Sequence, residues 1–188
     1  MRARRLLVLV SLAPLAGGAA LLAEQGWLGA KAALAEQLID RAFIAHLHDG
    51  RPHRPWNWAD THPIARLEVP RLGIRRTVLA GCSGSSMAFG PGHIDGSAEP
   101  NQPGNCALGG HRDSWFGFLR ELRHGDEILL RTREGLVRYR VGRIAVRSMW
   151  DAGPLEPTEQ RRLTLITCYP FDGLRRTEWR YVVTCEAS

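Results

Sequence analysis

The chain has 188 residues, 44% of them hydrophobic, with 25 basic against 19 acidic side chains and a net charge of +6. That length allows one domain plus an extension, with enough apolar residues for a core. From Asp60 onward 18 Arg stand against 15 Asp and Glu. Arginines such as Arg138 and Arg140 alternate along an expected strand and form no cluster with interleaved aromatics, which excludes nucleic-acid binding as an expectation.

The first element is a targeting segment. Arg2, Arg4 and Arg5 precede Leu6-Leu7-Val8-Leu9-Val10 and an uncharged stretch that runs to Ala23. About 18 residues are just enough to cross a bilayer as a helix, and Pro14 and Gly17-Gly18 are tolerated there. The basic flank predicts a cytoplasmic N-terminus and an exported remainder. An uncleaved anchor is expected over residues 1–23, with a cleaved signal peptide as the alternative.

From Glu24 to His48, Leu34, Leu38, Ala42 and Ala45 recur near helical spacing and predict an amphipathic helix. Gly50 and Pro52 end it, and Pro52 to Pro63 reads as a linker, so residues 24–58 form a helical stalk and linker. Residues 59–188 form the functional domain. Short strands are predicted at Ile64–Val69 and Ile74–Leu79, then at Asn105–Gly109 after a Gly/Ser/Pro-rich segment from Gly81 to Gly104 without regular structure. One helical turn is expected at Phe116–Leu122. Glu127–Arg131 and Leu136–Val146 read as a hairpin, and a bulge near Gly142 keeps the second arm in register. A loop from Ser148 to Arg162 leads to the last strands, Leu163–Cys168 and Arg180–Cys185. Short, evenly spaced strands without long intervening helices predict an all-β closed antiparallel barrel or sandwich.

Export places four cysteines where disulfides are permitted. With Cys168 kept free, Cys82, Cys106 and Cys185 allow one bridge, and Cys82–Cys106 is the expected pair. The alternative is that all three are small buried apolar residues. No CxxC, HxxxH or HExxH spacing occurs, so neither metal nor cofactor is expected.

The chemistry centres on Cys168. Leu163-Thr164-Leu165-Ile166-Thr167-Cys168 favours a strand and Pro170 stops it, so the thiol lies at a strand mouth that a substrate can reach. His111 follows Gly109-Gly110 at another strand end, where its ring can face a cleft. Arg180 opens the final strand; its permanent charge and fork of donors suit a developing oxyanion. Thiol, imidazole and guanidinium together make a site for acyl transfer. The alternatives are a buried Cys, a hydrogen-bonded loop His and a surface Arg.

Thr164-Leu165-Ile166-Thr167-Cys168 matches the TLxTC motif of the sortase family. Gly109-Gly110-His111-Arg112-Asp113 resembles the family's His segment, Arg180-Tyr181-Val182-Val183 its Arg strand, and Gly90-Pro91-Gly92-His93 an upstream element. The likeness runs from Ile64 to Cys185 and is closest to class D-like sortases, of the type found in Gram-negative bacteria. It implies an eight-stranded sortase barrel and cysteine transpeptidation. Cys168 would cleave an LPxTG-like C-terminal sorting signal of a secreted protein between Thr and Gly, giving a thioacyl enzyme resolved by an amine acceptor in the cell envelope. His111 would serve as acid and base, and Arg180 would steady the oxyanion, with Arg175 and Arg176 as its rivals. Asp113 would orient His111, His93 would be structural, and Thr167 and Trp150 would contact substrate, Trp150 alternatively anchoring its loop on the barrel. The enzyme would sit in the inner membrane with a periplasmic catalytic domain. Rival readings are a cysteine endopeptidase using water as acceptor and a non-catalytic peptide-binding β-barrel.

Overall fold

In the computed structural model the backbone is described for residues 2–173 and 177–188, and within the first helix side chains are described at 18, 23–27 and 29–49. That helix, α1 (Arg2–Asp49), ends where Gly50 takes φ +74° and donates its N–H to the His46 carbonyl at 2.8 Å. A left-handed glycine just past the last turn satisfies an otherwise orphaned helix carbonyl.

The chain divides into two units, residues 1–37 and 38–188. In the first, the Lys31 ammonium lies 4.9 Å from the Trp27 ring centroid. No helix among the described residues is long and apolar enough to cross a membrane. The expected anchor, 1–23, is helical in its backbone from Arg2 onward, and most of its side chains lie outside those described.

The second unit contains the end of α1 and a barrel. Ile39, Ala42 and Phe43 are buried, a spacing of three and four residues along one helix face. Leu34, placed on the apolar stripe by sequence, is 56% exposed. The Asp40 carboxylate accepts from Arg66 Nη2 at 2.6 Å and Thr77 Oγ1 at 2.9 Å, while the Arg66 guanidinium lies 4.7 Å from the Phe43 ring centroid.

Eight strands form the barrel: β1 (Pro63–Val69), β2 (Ile74–Leu79), β3 (Gly92–His93), β4 (Asn105–Gly109), β5 (Glu127–Thr132), β6 (Gly135–Ser148), β7 (Arg162–Tyr169) and β8 (Trp179–Ala187). They close in the order β1-β2-β3-β4-β7-β8-β6-β5. The barrel is not wholly antiparallel as expected, since β2–β3 and β4–β7 pair in parallel. Every residue of β4 is buried, as parallel strands covered on both faces usually are. Alternation in the sequence reports which face is covered, not the direction of the neighbour.

Two other expectations are refined. The 81–104 segment contains a one-turn helix, α2 (Gly84–Met87), capped by Ser83, and the two-residue β3. The β6–β8 register shifts between Val141 and Arg143, so the bulge at Gly142 is present and the Ile144 side chain returns to the inner face. Leu67, Val69, Leu108, Leu119, Ile128, Leu130, Leu163, Leu165 and Val183 fill the core at 0% exposure. The candidate site lies on the opposite, outer face of β4, β7, β8 and β6.

Candidate active site

Strand register assembles the site. On β7, Leu163, Leu165 and Thr167 point into the barrel, so Thr164, Ile166 and Cys168 point outward. Cys168 lies directly opposite Arg180 on antiparallel β8, which places their Cβ atoms about 4.5–5.5 Å apart on one face. On the other side of β7, parallel β4 pairs Gly109 with Ile166. Continuing that register two residues past each brings His111 abreast of Cys168.

Two bonds fix this continuation beyond the end of β4. Gly110 donates its N–H to the Ile166 carbonyl at 3.2 Å, and Thr167 Oγ1 donates to the Gly110 carbonyl at 2.7 Å. Thr167 is 2% exposed, so it cannot contact substrate as expected. Its inward parity commits the hydroxyl to the neighbouring backbone.

Both glycines before His111 are required by packing. A Cβ on Gly110 would lie 2.8 Å from Phe116 Cγ, and one on Gly109 would lie 2.5 Å from Cys82 Sγ. Phe116 is a core residue, and successive residues point to opposite faces of the strand. Cys82 therefore covers the outer face of β4, next to the site. Its sulfur is also 3.4 Å from Met87 Sδ.

The same parity removes the expected Cys82–Cys106 disulfide. All four cysteines are free, because Cys106 belongs to the core face of β4 and Cys82 to the outer one. Burial pushes the Cys106 thiol up to about 12 and raises Cys82 and Cys185 as well. Cys168 is half-buried at the strand mouth.

Arg180 is held at the start of its strand by neighbouring backbone. Nη1 donates to the Thr177 carbonyl at 2.8 Å and the Trp179 carbonyl at 2.9 Å, and Nη2 lies 3.9 Å from Met149 Sδ. Arg147 on β6 stands opposite Arg180, its Nη1 3.5 Å from Asp151 Oδ2. A row of Arg147, Arg180 and Cys168 thus crosses three strands, giving the thiol a positive flank on the side away from His111. The rivals Arg175 and Arg176 lie outside the described residues.

The β6–β7 loop arches over this face. Asn105 Nδ2 donates to the carbonyls of Pro154 at 2.9 Å and Glu156 at 3.0 Å, tacking the loop to the start of β4. A cleft of about 400 Å³ lies beneath, floored by Ala145, Thr164, Val182 and Thr184 and walled by Arg147, Asp151 and Pro154. It ends one row short of Cys168.

Trp150 in this loop is 75% exposed and makes no ring contact among the described residues, so it does not anchor the loop. Asp113 is exposed, and no hydrogen bond joins it to His111 among the described residues. His93 is 5% exposed, with Nε2 2.9 Å from the Ala98 carbonyl and 3.0 Å from Ser97 Oγ. Among the described residues no three His, Cys, Asp or Glu side chains gather to hold a metal ion.

Sequence reasoning overlooked Arg112. Its Nη1 donates to the Pro170 carbonyl at 2.8 Å and its Nη2 to that of Gly173. Position beside His111 was the only signal, since backbone carbonyl partners leave no trace in the sequence.

Residues 67–188 match the family model described as Sortase domain. Sortase D of Bacillus subtilis is 29% identical over 118 residues, covering 62% of this chain and 60% of that protein. Sortase A of Listeria monocytogenes is 28% identical over 127 residues, covering 65% of this chain and 55% of that protein. The chain therefore spans well under two thirds of the length of these relatives. A Clostridium perfringens Sortase D5 transpeptidase superposes with a TM-score of 0.68 at 19% identity, covering 83% of this chain and 99% of that one. At that identity the likeness speaks for the fold alone.

Proposed function

Because the chain belongs to the sortase family, we propose that it is a class D-like cysteine transpeptidase that cleaves an LPxTG-like sorting signal and joins the released carboxyl end to an amine. The observation that carries this reading is the shared row of Cys168 and Arg180, with His111 fastened alongside through Gly110.

The Cys168 sulfur gives its proton to His111 and attacks the Thr carbonyl of the Thr–Gly bond. As the C–N bond breaks, His111 gives a proton to the departing amine, leaving an acyl thioester on Cys168. An acceptor amine then attacks the thioester carbonyl and His111 takes its proton; as the C–S bond breaks and the new amide forms, that proton passes from His111 to the Cys168 sulfur. Arg180 stabilises the oxyanion in both tetrahedral intermediates. Its Nη1 is occupied by backbone carbonyls and Nη2 donates one hydrogen toward Met149 Sδ, so Nε and the second Nη2 hydrogen are the donors for the substrate.

Arg2, Arg4 and Arg5 ahead of the apolar run 6–23 support a single-pass anchor in the inner membrane with the catalytic domain in the periplasm. The substrate is then a secreted protein with a C-terminal signal, and the acceptor an envelope amine. Resistance of the full chain to carbonate extraction from membranes tests the anchor.

The decisive experiment incubates the full chain, in detergent, with an LPxTG peptide and follows intact mass. A thioester of the peptide's N-terminal part, absent in Cys168→Ala, supports the reading. Added triglycine should convert it to a ligated product. Release of free acid alone would make the protein an endopeptidase, and no adduct on wild type would overturn the reading.

A further inference from the structure

The proposed acid–base residue and the proposed nucleophile sit on separate loops. His111 lies in the turn after β4, where its carbonyl accepts from Phe116 N at 2.9 Å. Cys168 is followed by Tyr169, Pro170 and Phe171, which begin the β7–β8 connection. The base of that connection is held by aromatic packing: Tyr169 stacks on Tyr181 at 6.1 Å, with Phe171 edge-on to Tyr181 at 5.0 Å. All three of these rings belong to β7, β8 or the connection itself, and among the ring contacts of the described residues none joins them to the turn that carries His111.

Arg112 makes that link. One guanidinium donates to the Pro170 and Gly173 carbonyls from the residue next to His111. Gly173 is packed against it, because a Cβ there would lie 3.2 Å from Arg112 Nη1 and 3.3 Å from the Pro170 carbonyl oxygen. A planar fork that bonds two carbonyls at once fixes direction as well as distance.

We propose that Arg112 is a positioning residue: it clamps the β7–β8 connection to the His111 turn and so sets the imidazole against the Cys168 sulfur. This rests on the transpeptidase reading above. In this proposal Arg112 acts through the Pro170 and Gly173 carbonyls. Its effect is on acyl transfer through His111, and the intrinsic reactivity of the thiol is left unchanged.

The test compares wild type, Arg112→Ala, Arg112→Lys and Gly173→Ala, as full chains in detergent, with Cys168→Ala and His111→Ala as references. The probe is an LPxTG peptide with triglycine, and Cys168 reactivity is read separately by iodoacetamide alkylation. Loss of an ångström-scale alignment costs about 100-fold. Arg112→Ala is expected to lower kcat by about 10- to 100-fold, while KM and the alkylation rate stay within about twofold. Lys, which can serve one carbonyl at a time, should restore part of kcat, and Gly173→Ala should lower it in the same way.

Full activity in Arg112→Ala, a loss confined to KM, or alkylation falling in step with kcat overturns the proposal. If Arg112→Ala fails to fold, Gly173→Ala decides, and an unchanged kcat there overturns it. Activity surviving in Cys168→Ala or His111→Ala would instead defeat the transpeptidase reading itself.

Discussion

Thr167 Oγ1 donates to the Gly110 carbonyl at 2.7 Å, fastening the strand of Cys168 to the segment of His111 one residue before each. This is a buried bond, with Thr167 at 2% exposure. Thr167→Val keeps the shape and removes the donor, leaving a buried carbonyl short of a partner. The expected cost is about 1–3 kcal/mol, read as a lower urea midpoint. Thioester formation should slow by about 10-fold or more, because alignment of His111 with Cys168 loosens. Unchanged acylation in a destabilised variant would show that the Gly110–Ile166 bond alone sets the alignment.

Side-chain type and placement at strand ends made Cys168 and His111 candidates, and the resemblance of 164–168, 109–113 and 180–183 to sortase motifs grouped them with Arg180 as one candidate site. Cys168, His111 and Arg180 could be named together for that reason. What could not be read were the features that depend on chain reversal in space. The parallel pairing of β4 with β7 is one, and continuing its register past Gly109 and Ile166 sets His111 level with Cys168. The inward turn of Thr167 is another: a hydroxyl beside a nucleophile suggests substrate contact until the parity of Leu163 and Leu165 is known. Arg112 was invisible because its partners are carbonyls, which every residue has. On α1, Ala42 is buried and Leu38 and Ala45 are half-buried, as the predicted stripe has them, while Ile39 and Phe43, which that stripe left out, are buried too.

That last point leads to a stability prediction. Phe43 is fully buried, and Arg66 lies over its ring while bonding to Asp40. Phe43→Ala should cost about 3–5 kcal/mol, measured by urea denaturation. A chain cut to 59–188 should melt well below one cut to 38–188, although both retain every residue of the candidate site. Equal melting temperatures would mean that the end of α1 adds no stability to the barrel.

Acid should expose a second dependence. Asp126 accepts from Arg71 Nε at 2.6 Å and Nη2 at 2.7 Å, and from the Arg123 N–H at 2.7 Å. The Arg71 hydrogen bonds hold its carboxyl below the usual carboxylate value, with the Arg123 amide adding to the effect. The folded state therefore binds this proton less readily than the unfolded one. The contribution is complete above the unfolded value of about 3.9 and is lost as pH falls through the lower folded value. Asp126→Asn should cost about 1.5–3 kcal/mol at pH 7. The gap from wild type should narrow below about pH 4; a gap independent of pH would assign the loss to shape instead of charge.

The four thiols should separate by reactivity. Burial raises Cys106 to about 12 and also raises Cys82 and Cys185, and the thiolate is the form that reacts. Cys106 and Cys185 are at 1% and 0% exposure in the core. Cys82 is more open, but its sulfur is packed on Gly109 and Met87. Cys168 stands at a strand mouth with Arg180 opposite. Iodoacetamide on the native protein at pH 8 should therefore label Cys168 first and Cys82 more slowly. Cys106 and Cys185 should react only after unfolding, when the total should reach four without a reducing agent, since none is bridged. Cys168→Ala should remove the fast phase and leave the slow one. A total of two under non-reducing conditions would mean that a disulfide forms, and a fast phase surviving in Cys168→Ala would transfer the reactive thiol to Cys82.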